Sequence, residues 1–363
     1  MRSRLKAWIA TTLCVSSVAL AVDLSLHSVP LEDIVIDTFY GGFIRLSNAT
    51  PADIERFRDA IPPIDQPKFI PAREAYGVLE RDLIIGVADE GDVRAYPFRI
   101  LNFHEIVNDT VAGRPVLISY CPLCRSGIVY DRRLGDRVLS FGNTSALYQS
   151  DLVMYDRQTD SWWFQVAGEA IVGELTGARV TPLPSVVTTW AEWKQLHPDT
   201  VVLSFDTGYQ RDYSRDPFLG LDEILNTRGP GILGFPTSPQ VRADQRLPAG
   251  ELVLGLDLGG QRRAYPLQSQ GDRVYHDRLG DEAVVVFAIG GSGAAFPPVV
   301  NGQALRFVLQ EGTIHDLDTG STWSLAGRAT SGPLAGVQLE LLPARTTFWF
   351  AWVAAFPETD IAS

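Results

Sequence analysis

The chain has 363 residues, 45% of them hydrophobic, and a formal net charge of −12. That length and apolar content suffice for one large core or two. The acidic balance argues against a nucleic-acid partner and against docking on anionic lipid.

Residues 1–21 read as an export leader. Arg2, Arg4 and Lys6 give a positive start, Ala7 to Val18 a short apolar run, and Ala19 and Ala21 the small residues of a cleavage site. A membrane-spanning helix needs roughly 20 apolar residues, and this run is shorter and broken by Thr11, Thr12, Ser16 and Ser17. The expectation is an exported protein, periplasmic or extracellular, cleaved near Ala21, with no stable transmembrane segment in the mature chain. Cys14 leaves with the leader, so the mature chain keeps Cys121 and Cys124 alone.

An N-terminal segment, 22–75, follows. It carries one helix, Pro51 to Ala60, with Thr50 as N-cap and Pro62-Pro63 as its stop. Beyond it the chain reads as one unit written twice. Leu83 to Pro97 matches Leu252 to Pro266 through Arg-Ala-Tyr-Pro, and Leu183-Pro184, Trp190, Trp193 and Pro198 match Leu342-Pro343, Trp349, Trp352 and Pro357. The first unit spans 76–205 and the second 248–363, with a Gly/Pro-rich connector at 206–247. Short β-branched or aromatic runs predict strands at Leu83–Val87, Val93–Tyr96, Val116–Tyr120, Ile128–Tyr130 and Val138–Phe141. The second unit repeats them at Leu252–Leu256, Ala283–Ile289 and Leu305–Leu309. Thr188 to Leu196 predicts a helix capped by Thr189 and Glu192, and Phe348 to Phe356 holds the equivalent place. The fold class expected is α+β, mainly β, with a few short helices and internal pseudo-two-fold duplication.

Where the copies differ, chemistry is the first suspect. Cys121-Pro122-Leu123-Cys124 stands where the second unit has Ile289-Gly290-Gly291-Ser292, and Met154 where it has Ile314. Glu169 is replaced by Arg328, and His104 has no histidine counterpart. Two sulfurs three residues apart chelate a soft metal ion or close a labile disulfide. The residues after Cys124 read as a turn entering a strand, which suits a metal knuckle better than the helix start of a redox Cys-Pro-x-Cys. The metal-ligand candidates are therefore Cys121, Cys124, His104 and Met154, with copper or zinc as the ion. Asp151, Asp156 and Glu169 are candidate catalytic carboxylates, each weighed against an ordinary ion pair. Three functions stay open: a metalloprotein, in one form an oxidoreductase; a periplasmic thiol–disulfide protein; and a non-enzymatic module whose ligand cleft is lined by Trp162, Trp163 and Tyr155.

Several motifs in order carry a resemblance. They are Arg94 to Pro97, Asn102 to Asp109, Tyr120 to Cys124, Ser150 to Arg157, Gly168 to Leu175 and, in the connector, Asp212 to Pro217. Together they resemble the prokaryotic family known as domain of unknown function 3179, over about residues 70 to 363. The resemblance implies a frequently exported protein and supplies no mechanism.

Overall fold

Short apolar runs punctuated by glycine and aspartate turns become strands close to where the pattern puts them. The computed structural model describes residues 22–363, so the leader and Cys14 lie outside the described residues. The chain is mainly β with a few short helices. In the N-terminal segment the helix Pro51–Phe57 opens on a complete capping box between Thr50 and Asp53.

The first unit begins with the hairpin Leu83–Asp89 and Asp92–Pro97, followed by a helix, Phe98–His104. A meander follows: Ile106–Val111, Arg114–Cys121 and Ser126–Asp131. A long hairpin, Phe141–Tyr148 with Asp151–Asp156, continues through Trp162–Phe164 and Glu169–Val172. Val186–Thr189 returns to pair with Leu83–Asp89 before the helix Trp190–Leu196. The second unit runs through the same order of strands from Leu252–Leu258 to Asp360–Ile361, with Trp349–Ala355 as its closing helix and no helix in the place of Phe98–His104.

The two main sheets each mix strands from both units. The second unit's meander, Arg273–Leu279, Glu282–Ile289 and Ser292–Phe296, joins the first unit's strands through Val187 opposite Gly293. The first unit's meander joins the second unit's strands through Thr346 opposite Gly127. Each meander would otherwise present an unpaired edge, and each unit covers the edge of the other.

The matching residues do matching work. Trp193 and Trp352 are buried, and each donates its indole N–H, at 3.0 Å, to Thr200 or Thr359. Each ring lies flat over a strand glycine: a Cβ on Gly86 would sit 2.4 Å from Trp193, and one on Gly255 2.2 Å from Trp352. Tyr96 and Arg94 hold Asp109, as Tyr265 and Arg263 hold Asp277.

Several details differ from expectation; the first helix stops at Phe57 and the strand expected from Leu305 begins at Phe307. The run Val138–Phe141 is not one strand: Arg137–Val138 pairs with Arg133–Leu134, and Phe141 opens the long hairpin. The reason is local, since Leu139 N–H turns back to the carbonyl of Arg132. The connector is also more than a link. It forms a helix at Leu221–Arg228 and a single turn at Pro239–Ala243, and buries Leu225 and Val241 in the largest core cluster.

Gly255→Ala should lower stability by about 3 kcal/mol, because the added methyl group must displace a fully packed indole. Denaturant unfolding of the variant against the parent measures it.

Candidate functional site

Two local elongations of the first unit build the site. Cys121 pairs with Ser126 across a four-residue turn, 122–125, whereas its counterpart Ile289 pairs with Ser292 across two, 290–291. Asn143 pairs with Met154 across ten residues, 144–153, whereas Leu309 pairs with Ile314 across four, 310–313. The first extension carries Cys124. The second carries Asp151, and its tip meets the cysteine turn.

The backbone at this meeting point is strained. Arg125, Gln149, Ser150 and the nearby Glu105 have φ of 48°, 54°, 64° and 58°, a region that costs a non-glycine residue about 1–3 kcal/mol. Gln149-Ser150 is a two-residue hairpin turn of the kind that normally takes Asn-Gly. Contacts from elsewhere in the chain hold the two tips in place. Ser238 N–H donates to Gln149 Oε1 at 2.6 Å, and Ser150 Oγ donates to the Phe235 carbonyl at 3.3 Å. The Cys124 carbonyl accepts from Phe348 N–H at 2.8 Å and from Thr347 Oγ1 at 3.1 Å. The connector and the second unit thus clamp a site that the first unit supplies.

Cys121, Cys124 and Asp151 each bring one donor atom into a group whose members all lie within 4.8 Å of one another. All three are buried, and the cysteines are free thiols. Cys124 Sγ–H donates to the Ser150 carbonyl at 3.4 Å. Asp151 Oδ2 accepts from Val166 N–H at 3.0 Å. Its other oxygen, Oδ1, is buried without a hydrogen-bond partner. A fully desolvated carboxylate oxygen left bare is costly, and native proteins rarely tolerate one.

Burial governs the protonation of the whole group. It pushes both thiols up, Cys124 well above the ordinary cysteine range. It raises the Asp151 carboxyl to about 6, against the pull of Val166 N–H and the two thiols. Glu105, beside this group, is pushed up to about 8 by burial, opposed by the Asn143 amide, which donates to Oε2 at 2.8 Å. At neutral pH the two thiols and Glu105 are therefore protonated, whereas Asp151 is mostly ionised. The site holds acid groups that a cation would convert to ligands.

The other sequence candidates divide around this centre. Met154 packs into the core cluster that also contains both cysteines. His104 is not in the three-donor group, and both its ring nitrogens are engaged. Nδ1–H donates to the Pro62 carbonyl at 2.7 Å, which leaves Nε2 to accept from Tyr213 Oη at 2.6 Å. The imidazole thus ties the connector to the end of its helix instead of turning toward the sulfurs. Asp156 accepts from Trp163 Nε1 at 2.9 Å and from Thr159 N–H, and Asp316 repeats this with Trp323 and Thr319, so its role is that of a hairpin clamp. Glu169 pairs with Arg179 at the surface, at 2.5 Å. Trp162, Trp163 and Tyr155 are buried core residues, and Tyr155 Oη donates to Asp59. Glu105 is the residue the sequence reading passed over. The signal was available, since the meander register sets it against Arg273 in the second unit.

The arrangement defines a mainly β protein with a buried thiol–carboxylate cluster between the cysteine turn and the tip of the Gln149-Ser150 hairpin. The chain belongs to the family described as Protein of unknown function (DUF3179), whose pattern it matches over residues 58–359. No curated protein matches it. No solved structure matches it either.

Glu105 gives the site a pH signature. Its folded pKa, about 8, lies above the ordinary value of 4.5, so folding favours its protonated form. The stability it contributes is fully present below about pH 4.5 and is lost as pH rises toward 8. Metal-free protein should therefore unfold more easily at pH 8 than at pH 5, and Glu105→Gln should flatten the difference. Denaturant midpoints across that range read it directly.

Proposed function

We propose that this protein is a metalloprotein that holds one borderline ion, zinc before copper, through Cys121, Cys124 and Asp151. The observation that carries the reading is the buried cluster itself, in which a carboxylate oxygen of Asp151 and two free thiols lie within 4.8 Å of one another. Thiolate sulfur and carboxylate oxygen together suit zinc, whereas copper(I) favours an all-sulfur set. Two thiolates and a carboxylate outweigh a divalent charge by one. The neutral, protonated form of Glu105 keeps that excess from growing.

Three protein ligands leave room for a fourth, and an open position is what a catalytic zinc retains. When bound, zinc would supply Lewis acidity there. The chain's own contribution is to orient the donors: Val166 N–H fixes Asp151 Oδ2, and the strained Gln149-Ser150 turn sets the approach of Asp151 to the sulfurs. Glu105 stands beside the donors as a proton-bearing group. The thiol–disulfide reading is weaker on this geometry. A disulfide-exchange nucleophile needs a stabilised thiolate, and burial raises both thiols instead of lowering one. Export of the protein with cleavage near Ala21 belongs to the same proposal, resting on the sequence of residues 1–21.

Protein purified anaerobically and loaded with zinc should retain about one equivalent per chain after desalting. Asp151→Asn should weaken binding at least about tenfold, and Cys121→Ser with Cys124→Ser should abolish it. Elemental analysis gives the count. Less than about a tenth of an equivalent of any transition metal in the parent protein, with the pair instead cycling reversibly as a disulfide, would transfer the site to redox chemistry.

A further inference from the structure

We infer that the cleft over the Cys121–Cys124 turn is a binding site for a small organic anion, whose carboxylate or phosphate group is held by Arg81 and Arg125. The inference rests on the metal reading only for its chemical purpose, since the cleft overlies the turn that carries the buried donors, and the binding itself does not require the metal.

Two adjoining cavities lie over this turn. One, of 590 Å³, has Tyr120, Pro122 and Arg125 among its lining residues; the other measures 240 Å³. They share Arg81, Leu83, Phe98 and Arg125. The larger has the size of an ordinary small-molecule pocket. Its charges balance: Arg99 is tied to Asp82 at 3.2 Å, and Asp216 accepts from Asn102 and from Phe218 N–H. In the smaller cavity no carboxylate lines the wall, and Arg81 and Arg125 are its only charged groups. Arg81 has no ion-pair or hydrogen-bond partner among the described residues. Arg125 reaches Asp222 only at 3.8 Å.

Three further residues of that wall have polar side chains. Ser292 and Thr346 line it with hydroxyls, and Gln268 lines it with its amide, whose Oε1 already accepts from Leu252 N–H. Two guanidinium groups with hydroxyl and amide donors match the lone pairs of a carboxylate or phosphate. In a chain of net charge −12, two arginines without a close carboxylate partner, Arg81 exposed and Arg125 partly so, face one cavity.

Comparison of the two units supplies an independent observation. The cleft lies at the junction where the units meet in matching pairs, Leu83 with Leu252 and Val187 with Thr346. Its cations come from one side only. Counting from the Leu83 and Leu252 pair, Arg81 and Arg99 align with Gly250 and Gln268; counting back from Ser126 and Ser292, Arg125 aligns with Gly291. The first unit alone carries the positive charge, as it alone carries the cysteines. Arg125 does so at φ 48°, a position where glycine would be unstrained.

The test is calorimetric titration of inorganic phosphate and, separately, of succinate into the full mature protein, metal-free and metal-loaded. At least one anion should bind in both forms with a dissociation constant of about 1 mM or tighter. Arg81→Ala and Arg125→Gly should each weaken it at least about tenfold, the cost of one charge-assisted contact. Arg125→Gly relieves backbone strain, so a loss of binding there is not a loss of fold. Arg137→Ala, which removes a surface pair with Glu174, should change nothing. Binding of phosphate alone or succinate alone supports the site and assigns its group. Failure of both anions, or equal weakening by Arg137→Ala, overturns it. A protein that binds the anion but no metal would retain this site and discard the metal centre; one that binds metal but neither anion would do the reverse.

Discussion

Desolvation of acidic groups without a cation is the constraint around which this molecule is arranged. Cys121, Cys124, Asp151 and Glu105 are all buried, and burial raises the pKa of each. A protein gains nothing in stability from such a cluster, since a well-packed apolar core would serve better. The scaffold also holds four non-glycine residues at positive φ around it. Strained backbone meeting four desolvated acidic groups marks this place as a functional site.

The architecture explains how that cost is met. The cysteine turn belongs to the first unit's meander, whose edge is completed by a strand of the second unit at Thr346 opposite Gly127. One residue further, Thr347 and then Phe348 bind the Cys124 carbonyl. The connector closes the other side through Phe235 and Ser238. The site is therefore held by segments distant in sequence, and its geometry depends on the units interleaving. Where the second unit keeps short turns at Gly290-Gly291 and Glu311-Gly312, no such cluster forms among the described residues.

Much of this was legible from residues alone. The Cys-x-x-Cys pair, the repeated Arg-Ala-Tyr-Pro and paired tryptophans, and the capped helices at Thr50 and Thr189 are local signals, and local rules read them. The third donor was harder. Asp151 was visible as a carboxylate near Met154, but its meeting with the cysteines depends on how far a hairpin extends, and hairpin length is fixed by tertiary contacts with the connector. His104 was misleading for a similar reason: polar neighbours, Asn102 and Glu105, suggested a site, and its true partners, Pro62 and Tyr213, lie 42 and 109 residues away. Glu105 sits inside the Asn102 to Asp109 motif but was given no role there. Only the register of the meander, which sets it against Arg273, distinguishes it from a surface acid. The mixed sheets were out of reach, because each unit's strand pattern is equally compatible with pairing within itself.

The most direct measurement of the central claim is X-ray absorption at the metal edge of the zinc-loaded protein, compared with Asp151→Asn. The account predicts two sulfur scatterers at about 2.3 Å with the remaining ligands oxygen or nitrogen at about 2.0 Å, and an altered light-atom shell in the variant. A shell of oxygen and nitrogen alone, without sulfur, would contradict it.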